Sequence, residues 1–160
     1  MAFRFIPKKD SQKQMMSESK PFPIFSMPMR GLLLLAGMYT VAWGAFFKWF
    51  GADLIKWLSM NQGVTVPLDF NWFGTFGLVI GIGIFLSAFY PISWMYLILI
   101  GALGKLVSAG WFYLVVIENL GWNKRTLFHM IINELFWILP LIWIFFRSLA
   151  VKKYLKTLPD

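Results

Sequence analysis

Between residues 31 and 147 the apolar positions fall into four long blocks, near 31–50, 72–90, 93–117 and 127–147, parted by short polar or proline-bearing joints. About 20 helical residues cross the roughly 30 Å of hydrocarbon in a bilayer, so every block is long enough to span one. Backbone polar groups in lipid need internal partners, which a helix supplies within a single segment, and the alternating short strands of a barrel are missing. The pattern predicts an all-α fold, an integral membrane four-helix bundle. Between the second and third blocks, "FYPIS" puts Pro91 where a helix cannot continue and biases Tyr90 away from α geometry, so these two spans form a tight antiparallel hairpin.

The joints carry patterns of their own. In the first connection, 51–71, "ADLIKWLSM" sets Leu54, Trp57 and Leu58 on one side and Asp53 and Lys56 on another, as in a short helix lying in the interface. "VTVPLDFN" after it reads as extended. Before the first block, "KDSQKQMMSESK" suits a short polar helix and "PFPIFSMPM" an extended, proline-punctuated stretch, apolar enough to dock on a membrane surface or a partner. The chain therefore divides into an N-terminal tail, 1–29, the bundle, 30–147, and a C-terminal tail, 148–160.

Charge orients the threading. Arg4, Lys8, Lys9, Lys13, Lys20 and Arg30 precede the first span and Arg147, Lys152, Lys153 and Lys156 close the last, against Lys48, Lys56, Lys124 and Arg125 on the opposite side. The positive-inside bias then makes both termini cytoplasmic and the N-terminal tail a basic cytoplasmic one. The prolines of "PFPIFSMPMR" spoil a signal-peptide core, so the first span is expected to be retained. Trp57, Trp72 and Trp122 fall at the outer headgroup level and Trp94 at the inner one, as aromatic belts do. The expected location is a bacterial inner membrane.

Composition excludes more than it identifies. With 59% hydrophobic and 19% aromatic residues against 14% charged, the chain lies outside the range of soluble domains. The net charge of +8 resides mostly outside the apolar blocks, which is a topology signal, so lipid rather than nucleic acid is the expected partner. Without cysteine there is no disulfide, thiol redox chemistry or thiolate metal binding. A single His excludes bis-histidine haem ligation, and no His-Glu-x-x-His, phosphate loop or G-x-S-x-G occurs. No metal, no intrinsic cofactor and no catalytic activity of the chain's own are therefore expected.

Two groups of residues stand out within the spans. Gly74, Gly77 and Gly81 in the second, and Gly101, Gly104 and Ser108 in the third, recur every three or four positions and suit close helix packing. Lys105 in the third span and His129, Asn133 and Glu134 in the fourth are polar at hydrocarbon depth. Translocon-type scales charge about 2.5 to 3.5 kcal/mol for a Lys or an acid at a helix centre, so Lys105 and Glu134 should face the interior and pair. With Lys48 and Glu118 at the outer helix ends they would line a polar pocket open to the outside. Three readings of the cluster stand side by side: a structural ion pair with hydrogen-bonded Asn and His, a site for a quinone, lipid or polar-headed metabolite, and movement of protons or ions. Pro140 should bend the fourth span near the cluster by freeing the Phe136 carbonyl.

The close of the first span, Lys48, Trp49, Phe50 and Gly51, preceded by Arg30 and glycines, resembles DoxX-type four-helix membrane proteins. "GKLVSAGWF" and "NELFWILP", through Gly104, Lys105, Asn133, Glu134, Trp137 and Pro140, resemble a group of short bacterial four-span proteins, and the likeness covers most of residues 30–147. The resemblance implies an accessory or anchoring subunit of a larger membrane complex that is redox- or quinone-linked, working beside partner subunits. The alternative is a stand-alone membrane protein that binds or acts on a quinone or lipid-like small molecule.

Overall fold

The computed structural model describes residues 24–60 and 70–158. Among them are four helical rods and no strand: α1, Met27–Ser59; α2, Asn71–Ser87; α3, Met95–Leu120; and α4, Lys124–Leu155. Three of the four, α1, α3 and α4, are long and apolar enough to cross a membrane, whereas α2 is a shorter apolar helix. The extended segment expected before α2 and most of the N-terminal tail lie outside the described residues.

The helices run alternately up and down. At one end the Arg147 side chain of α4 bonds the Ile24 carbonyl just before α1, and the Lys152 ammonium stands 5.4 Å from the Tyr96 ring at the start of α3. At the other, Asn123 Nδ2 donates to the Leu58 carbonyl and Arg125 to the Trp57 carbonyl, so the entry to α4 satisfies the open end of α1. Asn123 also caps α4 in a reciprocal box with Thr126. Trp57, Trp72 and Trp122 gather at this second end and Trp94 at the first, all partly exposed.

Helix limits depart from the sequence reading in three places. α1 does not stop near residue 50; it bends at Phe50 (φ −126°, ψ 25°) and continues to Ser59. The expected interfacial helix is this second limb, and its buried side is Ile55 and Leu58, with Trp57 turned outward under the Arg125 guanidinium. It packs on Phe70, Phe73 and Ile117, and protein contact rather than lipid selects its inner face. α4 runs past Arg147 to Leu155 with Ser148 and Val151 buried, so residues 148–155 belong to the bundle, and Lys152 and Lys153 sit in the last turn where the helix dipole favours cations. α1 begins at Met27, with Pro28 in the first turn, where its missing N–H is harmless.

Glycines set the closest approach, between α1 and α2. A Cβ on Gly37 would meet the Phe85 backbone at 2.6 Å, one on Gly44 the Leu78 backbone at 2.6 Å, and one on Gly81 the Val41 backbone at 2.6 Å. Gly74 lies equally tightly against the Lys48 backbone, and Gly77 sits opposite Gly44. On α3, Gly101 and Gly104 receive the side chains of Ile84 and Ile80 of α2, a knob-into-hole contact rather than a backbone one.

The interior divides into two apolar layers. Leu33, Ala36, Ile84, Ile98, Leu141 and Ile144 fill one half, and the aromatic-rich set Phe47, Phe70, Phe73, Phe112 and Val116 fills the other. A polar layer lies between them.

Candidate functional site

That layer is built chiefly from two helices that leave the regular α path. In α4 residues His129–Leu135 form a π-helical stretch, with the Phe136 N–H reaching back to the Ile131 carbonyl, and in α3 residues Phe112–Ile117 do the same. Successive residues of an α-helix are about 100° apart, which would carry Glu134 away from the face shared by His129 and Asn133. A π turn holds more residues, so the step is smaller. His129, Asn133 and Glu134 all end up buried, at 0%, 0% and 4% exposure. The irregularity in α4 thus precedes Pro140, which lies within the regular α stretch Phe136–Leu155.

Lys105 (3% exposed) reaches across from α3. Its ammonium donates to the Asn133 carbonyl at 2.7 Å and lies 3.3 Å from Glu134 Oε2. The other carboxylate oxygen, Oε1, is 3.5 Å from His129 Nε2, ion-pair range without hydrogen-bond alignment. His129 itself is boxed by aromatic rings, with Phe112 at 4.3 Å, Trp43 at 5.0 Å and Phe47 at 5.2 Å between centroids.

The direction of each hydrogen bond follows from the orientation of the Asn133 amide. Tyr39 on α1 donates its hydroxyl to Asn133 Oδ1. Asn133 then presents Nδ2 to His129 Nδ1, 2.6 Å away, and an amide nitrogen can only donate. Nδ1 is therefore the acceptor and the ring carries its proton on Nε2, the nitrogen nearer Glu134. The reverse amide orientation would set a bare Nε2 against the carboxylate. The Glu134 carboxylate beyond Nε2 thus selects the histidine tautomer and with it the amide orientation, to which the Tyr39 hydroxyl can adapt as donor or acceptor. The layer pairs one basic side chain, Lys105, with one acidic one, Glu134, and a paired, hydrogen-bonded set is the least costly way to keep charge out of water.

The remaining space is small. A cavity of about 10 Å³, the room of one water molecule, is lined by Lys105, Glu134, Ser108 and Thr40 together with Trp43, Phe47 and Phe73. Lys48 and Glu118, expected to line the pocket's outer side, are not among its lining residues.

Four of the six residues singled out for this cluster, Lys105, His129, Asn133 and Glu134, come together. Lys48 and Glu118 do not. Tyr39, Trp43 and Phe47 recur every four residues and face α4, which leaves Lys48 about 100° off that stripe, with its ammonium 5.9 Å from the Trp49 ring. Glu118 follows the buried Val116 and Ile117 and turns outward, exposed. Tyr39, Trp43 and Thr40 were not foreseen. Their four-residue recurrence was visible, but aromatics are so common in this chain that it did not separate a partner of Asn133 from lipid-facing bulk.

Comparison with known proteins finds no matching family model, no matching curated protein and no matching solved structure.

Proposed function

We propose that the chain is a multi-pass protein of a bacterial inner membrane, with both termini cytoplasmic, acting as an accessory or anchoring subunit of a larger, redox- or quinone-linked complex. The observation that carries this reading is the tightly packed polar layer. Tyr39, Asn133, His129, Glu134 and Lys105 are linked to one another at the centre of the bundle by hydrogen bonds and ion-pair contacts and leave room for about one water. Such a layer fixes helix register and rotation, as a scaffold requires. The Gly-lined α1–α2 seam adds stiffness, and the DoxX-like features at Lys48–Gly51 and Gly104–Lys105 supply the redox link as an expectation. Purification in a gentle detergent tests it: the chain should elute with further polypeptides, at least one bearing haem or flavin absorbance. Elution as the lone chain after cross-linking in native membranes overturns it.

One observation favours a second reading, a stand-alone protein that binds a quinone or lipid-like molecule. The small cavity touches both Lys105 and Glu134, together with the hydroxyl-bearing Ser108 and Thr40, a convergence of polar groups suited to a polar head at hydrocarbon depth. Organic extraction of the purified protein should then release such a lipophile in near-equal molar amount. Recovery of only bulk lipid in its membrane proportions counts against it.

A further inference from the structure

Trp137 sits one helical turn beyond Asn133 and is 93% buried, judged from its 7% exposure, yet its indole N–H has no hydrogen-bond partner. The other unpartnered buried atoms each have a local answer. His129 Nε2 faces Glu134 at ion-pair distance, the Ser148 hydroxyl can rotate toward its own helix carbonyls, and Arg30 Nε belongs to a guanidinium near the helix start. An indole has a single donor, fixed in the ring plane, and no such freedom. Within lipid no solvent is at hand to satisfy it.

The surroundings point to an acceptor carried by an apolar molecule. Trp137 is covered by the Tyr39 ring, 5.3 Å away between centroids, and Tyr39 is itself only partly buried, at the seam where α1 meets α4. The contact at that seam is less extensive than that of α1 against α2 or of α3 against α4. Its outer edges are the exposed apolar side chains Leu35 and Met38 of α1 and Phe136 and Leu139 of α4. A chain-bearing ligand would reach this point from the bilayer without crossing water.

We propose that the α1–α4 seam takes the carbonyl group of a membrane-dissolved lipophile, with Trp137 Nε1–H donating to the carbonyl oxygen and Tyr39 the side chain that gives way to admit it. This rests on the ligand-binding reading above and deepens it by naming the donor and the ligand chemistry. Two sources offer that chemistry, the ring carbonyl of a quinone and the acyl ester of a glycerolipid.

Infrared difference spectroscopy on the full chain in detergent, titrated separately with a short-chain alkyl benzoquinone and a carbonyl-labelled phosphatidylcholine, tests the proposal. At least one probe should show its carbonyl band moved to lower frequency on binding, and which probe does so identifies the source. Trp137→Phe, which keeps an aromatic ring but removes the donor, should abolish that shift and weaken binding about tenfold, the loss of one hydrogen bond. No shift with either probe in the unaltered protein overturns the proposal whether or not the variant folds. A shift that survives Trp137→Phe but vanishes in Glu134→Gln also overturns it, while leaving the ligand-binding reading in place. Absence of any bound lipophile removes both.

Discussion

At the scale of single residues, the arrangement makes His129 a reporter for the whole polar layer. It is the chain's only histidine, so its two ring nitrogens give an unambiguous pair of resonances in nitrogen NMR of histidine-labelled protein. The Asn133 amide on one side and the Glu134 carboxylate on the other favour the Nε2-protonated tautomer. Glu134→Gln, whose amide can face Nε2 with either its oxygen or its NH2, should allow both orientations of the Asn133 amide and turn one tautomer into a mixture; an unchanged spectrum would mean that the carboxylate does not set the tautomer. The Lys105–Glu134 pair makes a second prediction. Removing one partner strands a buried charge, so Lys105→Met or Glu134→Gln alone should lose about 3 to 5 kcal/mol of stability. The double variant should recover most of that loss in a cycle read by thermal unfolding in detergent. Additive losses would show that the two groups act independently despite the 3.3 Å separation.

At the scale of elements, the α1–α2 seam and the two π stretches do different work. Gly44 and Gly81 have backbone from the facing helix within 2.6 Å of where a Cβ would stand, and backbone cannot step aside as a flexible side chain can. Gly44→Ala or Gly81→Ala should therefore overpack the seam and lose about 1 to 3 kcal/mol, measured by thermal denaturation. Gly83→Ala, with open space around it, should leave the melting point unchanged or raise it. Much of this level was legible in the sequence, because apolar block length marks a helix and small-residue spacing marks a close face. Gly74, Gly77 and Gly81 could be read that way from α2 alone, whereas Gly37 and Gly44 are seven apart and declare themselves only once α2 is laid against them. The π stretches were not legible, since no residue type encodes the extra residue per turn. It was the regular 100° step, applied to His129, Asn133 and Glu134, that placed Glu134 off the shared face. Lys48 and Glu118 show the complementary failure: depth along a helix follows from counting residues, but rotation about its axis depends on the neighbours, and both polar groups fall at a suitable depth on the wrong side.

At the scale of the whole molecule, the alternation of the helices decides which ends share a side. Ile24 lies beside Arg147, and Lys152 beside Tyr96, so the start of α1, the start of α3 and the end of α4 form one end, whereas Trp57, Leu58, Asn123 and Arg125 meet at the other. The basic residues flanking α1 and α4, Arg30, Arg147, Lys152, Lys153 and Lys156, concentrate at the first end, and the positive-inside bias would make that end cytoplasmic. The absence of cysteine permits a direct check, because any thiol introduced is the only one present. Ser26→Cys and Thr157→Cys stand at the first end, and Asn119→Cys, exposed in the last turn of α3, at the second. In intact cells a membrane-impermeant maleimide should label Asn119→Cys and spare the other two until the membrane is opened. The reverse pattern would invert the orientation while preserving the fold, since the alternation comes from contacts within the bundle. Labelling of Ser26→Cys and Thr157→Cys from opposite sides would break the alternation itself, because the Arg147–Ile24 and Lys152–Tyr96 contacts put the start of α1 and the end of α4 at one end of the bundle.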